Sequence, residues 1–120
     1  MGRRSRRRER EPAPQAPVVE HASPDGEQVL TLRCVLTPKT RAAYAGVLTG
    51  SPLSQEDAWQ RAVEFLFERL ALRWTINGVA TEGPRDLLLR LRAATPAERR
   101  FVRETLRAHC AEWFPDVQAP

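Results

Sequence analysis

The first 28 residues set the strongest limit on what this chain can build. They hold six arginines and four prolines, at positions 12, 14, 17 and 24, but only Val18 and Val19 as large aliphatics after Met1. A segment so poor in apolar side chains cannot offset its chain entropy by burial. Residues 1–28 therefore read as a disordered arm, and a fold has to come from residues 29–117. With 120 residues in all, there is room for one small domain.

Charge is segregated along the same lines. Residues 1–10 carry a net +5, residues 11–28 a net −4 and residues 29–53 a net +3, whereas residues 54–120 hold ten basic and ten acidic side chains. Positive charge is thus concentrated in the arm and in the first foldable segment. Of the 19 basic residues only Lys39 is a lysine. No stretch approaches the 18 consecutive apolar residues of a membrane-spanning helix, and the arginine-rich start is not followed by the apolar run of a signal peptide. A cytoplasmic protein is expected. Cys34 and Cys110, 76 positions apart, read as buried free thiols, and no zinc-ligand spacing occurs.

From Val29 to Leu36 the chain alternates, placing Leu30, Leu32, Cys34 and Leu36 on one face and Thr31, Arg33 and Val35 on the other. This is the one strand that the pattern predicts. Thr37-Pro38 suits a helix start, and a short helix built on Tyr44, Val47 and Leu48 follows. Ser54-Gln55-Glu56-Asp57 opens a second helix, whose stripe of Ala58, Trp59, Ala62, Val63, Leu66, Leu70 and Trp74 keeps the spacing of a buried face. Phe65, Phe67 and Leu72 lie off that stripe, so the later half of this helix reads as buried from two sides. Asn77-Gly78 marks a turn, and Glu82-Gly83-Pro84 marks the start of a third helix with Leu87, Leu88 and Leu91 on one face. Thr95-Pro96-Ala97-Glu98 combines a capping box with proline at the first helical position. The fourth helix runs from there to about Trp113 and turns Phe101, Val102, Thr105, Leu106, His109, Cys110 and Trp113 inward. The expected fold is mostly α: one N-terminal strand and about four helices, divided into a strand-helix-helix unit over 29–72 and a helical hairpin over 75–117.

Catalytic constellations are lacking. Glu64 and Glu68 sit one turn apart, but Arg61 and Arg69 are placed to pair with them on a solvated face. His109 lies among apolar neighbours as a core residue would. No nucleophile elbow and no phosphate-cradling glycine loop is present. The reading is of a protein that is not an enzyme and takes no cofactor and no metal. Arg3, Arg4, Arg6, Arg7, Arg8 and Arg10 can each neutralise a phosphate and release counterions, which points to salt-sensitive binding of nucleic acid.

Residues 29–72 resemble the ribbon-helix-helix family of DNA-binding regulators: an alternating strand Leu30 to Leu36, a short helix after Thr37-Pro38, then Gly50 and Leu53-Ser54 opening a longer amphipathic helix. The resemblance implies a homodimer in which two strands pair into a ribbon in the major groove, with Thr31, Arg33 and Val35 turned towards the bases. It maps phosphate anchoring to Leu53, Ser54 and Gln55 at the second helix's start. Lys39, in the same positive segment, joins the expected contacts. RNA is left open as a target, because arginines contact either backbone.

A second resemblance, over 29–117, is to the N-terminal region of type V RNA-guided nucleases. It rests on the run Ala62 to Arg73, the Leu88 to Arg92 helix and Trp113-Phe114-Pro115. It implies a detached lobe or accessory subunit, with arginines of the third and fourth helices on a guide or heteroduplex backbone. A third reading, an adaptor that binds no nucleic acid, would use the apolar run Phe65 to Trp74 as a surface for a partner protein.

Overall fold

The computed structural model of the chain describes residues 17–49 and 55–120. Four strands and four helices follow in the order β1 (Val18–Ala22), β2 (Gln28–Arg33), α1 (Pro38–Thr49), α2 (Gln55–Leu70), β3 (Ala71–Ile76), β4 (Val79–Glu82), α3 (Pro84–Arg92) and α4 (Pro96–Trp113). The strands form one antiparallel sheet in the order β1-β2-β3-β4. The fold is α+β, which corrects the expectation of a mostly helical chain with one strand.

Each added strand has a local cause. β1 lies inside the segment expected to be disordered, and its turn explains why it forms. Gly26, at φ 75°, reverses the chain, while the Ser23 hydroxyl donates to Asp25 Oδ1 and accepts from the Gln28 amide, and Asp25 Oδ1 also accepts from the Glu27 amide. Residues 17–28 are thereby ordered, whereas residues 1–16 lie outside the described residues. β3 and β4 form the hairpin closed by Asn77-Gly78, both at positive φ (49° and 82°), as a two-residue turn of the primed type requires. So α2 stops at Leu70, Trp74 belongs to a strand, and the stretch expected to be a helical hairpin from residue 75 begins with the end of one strand and all of another.

One face of the sheet is buried. Leu30, Leu32 and Trp74 are fully buried against Leu66, Phe67 and Leu70 of α2, Leu87 and Leu91 of α3, and Val102, Leu106 and Cys110 of α4. Phe67 meets the Trp74 ring edge-on at 5.7 Å, and the Trp74 indole N–H donates to Gln28 Oε1 at 3.2 Å. The other face carries the in-register row Glu20, Thr31, Arg73 and Glu82, in which Arg73 and Glu82 form an ion pair. The capping box at Thr95 forms in full, with reciprocal bonds between Thr95 and Glu98.

Two consequences bear on the earlier expectations. β2 is flanked by β1 on one edge and β3 on the other, so it has no free edge with which to build a two-stranded ribbon with a second copy. The ribbon-helix-helix architecture is therefore not the one that forms. In the run Phe65 to Trp74, Leu66, Phe67, Leu70 and Trp74 are fully buried in the chain's own core. Its apolarity is accounted for inside the fold, and it does not supply the exposed surface that an adaptor would need.

The inward stripe of α2 is Ala58, Ala62, Val63, Leu66, Phe67 and Leu70, with Trp59 turned out at 42% exposure. Phe67→Ala is expected to cost about 3–5 kcal/mol in urea unfolding, and Trp59→Ala less than about 1 kcal/mol. Equal costs would show that the α2 stripe is wrongly oriented.

Candidate nucleic-acid interface

The alternation read for β2 holds in the fold, since Leu30 and Leu32 point into the core while Thr31 is half-buried on the open sheet face and Arg33 is exposed at the strand's end. Beyond the strand, Cys34 and Leu36 are buried and Val35 stands out at 47% exposure. Lys39 is exposed in the first turn of α1, and Gln55 is exposed at the first position of α2. Arg3, Arg4, Arg6, Arg7, Arg8, Arg10 and Ser54 lie outside the described residues.

Arg33 and Val35 meet in a groove of about 580 Å³, which Thr37, Thr40 and Arg69 also line. The Arg33 guanidinium donates through Nη1 to the carbonyl of Arg69 at 3.1 Å, and the Arg69 guanidinium lies 5.0 Å from the centroid of the Phe65 ring. Two arginines thus line one groove at this end of the sheet, Arg33 anchored on the Arg69 backbone and the Arg69 guanidinium over Phe65. The start of α1 opens beside them, with the Thr37 hydroxyl accepting from the Thr40 amide at 3.1 Å. A helix start carries partial positive charge, so this rim adds to the attraction for an anion. Glu68, also at the groove, is the one acid among its lining residues. Thr31 sits on the open sheet face and Gln55 at the start of α2, so neither belongs to the groove.

Arg69, Thr37 and Thr40 are the contributors that the sequence did not reveal. Arg69 reads as a helix-surface partner for a glutamate one turn away. In the fold Glu64 instead pairs with Arg92 and accepts from Gln60, and Arg69 turns to Phe65. The signal for Arg69 would have been the end of α2 at Leu70, because a residue at a helix-to-strand junction sits at the sheet's end.

Behind the groove lies a histidine pair. His109 Nε2 is 2.7 Å from the carbonyl oxygen of Arg33, and His109 Nδ1 is 2.9 Å from His21 Nε2. A carbonyl only accepts, so His109 carries its proton on Nε2 and takes a hydrogen bond on Nδ1 from the N–H of His21. α4 is tied in this way to β2 directly beneath Arg33 and to β1. Burial holds both imidazoles below their ordinary value of 6.5. The other ring's charge adds to that for His21, the bond to Arg33 opposes it for His109, and the Glu112 carboxylate opposes it for both.

Among the described residues no three His, Cys, Asp or Glu side chains are placed to hold a metal ion, and no helix is long and apolar enough to cross a membrane. No family model matches this chain, and neither does any curated protein or solved structure.

The histidine pair gives a signed pH dependence. The unfolded chain takes up protons near pH 6.5 while the folded rings resist them. Stability is therefore fully present above that value and is lost as pH falls through the lower folded values. Urea unfolding is expected to show a steady loss between about pH 7.5 and pH 5.5 that is smaller in His109→Gln. A flat or rising profile in the unsubstituted protein would contradict the paired, neutral arrangement.

Proposed function

We propose that this protein binds nucleic acid by its phosphate backbone, using the basic N-terminal segment together with the Arg33 and Arg69 end of the sheet. The observation that carries this reading is a matter of register. Val18, the first residue of β1, pairs with Arg33, the last residue of β2. The six arginines upstream are therefore tethered to the same end of the sheet as the Arg33 groove.

The charge distribution supports the same division of labour. Residues 1–16 carry six arginines against Glu9 and Glu11, which accounts for the whole net charge of +4, and residues 17–120 are balanced at 13 basic and 13 acidic side chains. Long-range attraction then belongs to the N-terminal segment, and position is given by a few contacts on the fold. Arg33 and Arg69 suit forked contacts to phosphate oxygens, and Lys39 supplies a third charge next to the α1 start. The target is the backbone rather than base edges, and duplex DNA is the ligand of first choice. A dimeric regulator of the ribbon type needs a free strand edge that β2 lacks, so base reading is left out of the proposal.

The test is the salt dependence of binding to a random-sequence duplex. Deleting residues 2–10 is expected to lower the slope of log K against log salt by about 4–5, at about 0.9 for each lost phosphate contact. Arg33→Ala with Arg69→Ala is expected to remove about 1–2 more. An unchanged slope after the deletion would overturn the reading.

A further inference from the structure

A second concave site lies away from the Arg33 groove, between α2 and α4. It is a cleft of about 380 Å³ with Arg99, Arg100 and Arg103 on the α4 wall, Val63 and Leu91 at its floor, and Glu56 on the α2 wall. Four of the twelve arginines among the described residues are paired with an acid: Arg41 with Asp116, Arg73 with Glu82, Arg90 with Glu98 and Arg92 with Glu64. Arg99 donates instead to the backbone carbonyl of Arg92 at 2.7 Å. Arg100 and Arg103 form no ion pair among the described residues. Arg99 and Arg100 lie four and three positions from Arg103 along α4, and Glu104, one turn from Arg100, is not among the cleft's lining residues.

We propose that this cleft docks an acidic, amphipathic peptide segment of a partner protein. The guanidinium forks of Arg100 and Arg103 match carboxylates in pairs, and the exposed ring of Pro96, with the small edges that nearly buried Val63 and Leu91 leave at the floor, gives one apolar side chain a place to rest between them. The composition of the cleft favours a peptide over a nucleic acid. A phosphate backbone is a continuous track of negative charge with no use for an apolar floor, and it would run past the Glu56 carboxylate. A peptide can direct its acids to the arginine wall and leave a neutral or amide-bearing residue opposite Glu56. This site uses none of the residues that the proposed function gives to the phosphate backbone, so either proposal can fail without the other.

The probe is a short fluorescein-labelled peptide of repeating Leu-Glu-Glu-Leu units, followed by fluorescence anisotropy with the full chain. Saturable binding is expected at about 10 μM, weakened at least about tenfold in the Arg100→Ala and Arg103→Ala double variant. Both side chains are exposed, so the double variant should unfold at the same urea concentration as the parent. Arg33→Ala should bind the peptide as the parent does, and a Gly-Glu-Glu-Ser peptide of equal charge should bind more weakly. Absence of saturable binding below about 1 mM would overturn the proposal. So would a double variant that keeps full affinity, or one that loses duplex DNA binding in step with the peptide, which would make the cleft a phosphate track.

Discussion

Leu30 and Leu32 of β2, together with Trp74 of β3, are the buried face on which the rest of the structure depends. Three large side chains with no exposure need helices over one side of the sheet, and the two strands that carry them need partners on their remaining edges. α2, α3 and α4 answer the first need, and β1 and β4 answer the second. Once β2 is fixed in the middle, its other face and its far end are what is left to meet other molecules. Thr31 and Arg33 are outward because Leu30 and Leu32 are inward.

That central strand was legible from its alternation alone, as were the starts of α1, α3 and α4 from Thr37-Pro38, Gly83-Pro84 and Thr95-Pro96. The strands around it were concealed for separate physical reasons. In β1 the inward side chains are Val19 and His21, and the second of these is polar by composition yet meets His109 inside the fold. In β3 the spacing from Leu70 to Trp74 fits one more helical turn as well as it fits a strand, so a 3.6-residue period ran on into a two-residue one. Asn77-Gly78 was the local sign that could have separated them, because a two-residue turn of that composition closes a hairpin rather than joining helices. Phe67, off the expected stripe, is fully buried, and Trp59, on it, is exposed. The α2 face is rotated towards the sheet, which the helical pattern alone could not orient.

The candidate site was legible in part. Arg33 and Val35 stand out by alternation and the Thr37 and Thr40 rim follows them directly in the chain, whereas Arg69 comes next to them only because β3, which starts just after it, pairs with β2. The packing of α4 on the sheet sets the His109 side chain beneath the Arg33 carbonyl, so the backbone under the groove is held by a hydrogen bond from a buried side chain rather than by the surface contacts themselves. An exposed Arg33 on a fixed backbone can meet a phosphate with little further ordering, which is where affinity is usually lost.

Amide chemical-shift mapping of the labelled full chain, titrated with a short random-sequence DNA duplex, tests the central claim most directly. Perturbations gathered at Val18, Arg33 to Thr40 and Arg69 are expected, with α4 from Arg99 to Arg103 left unmoved. Perturbations gathered on α4, or none anywhere at low salt, would contradict it.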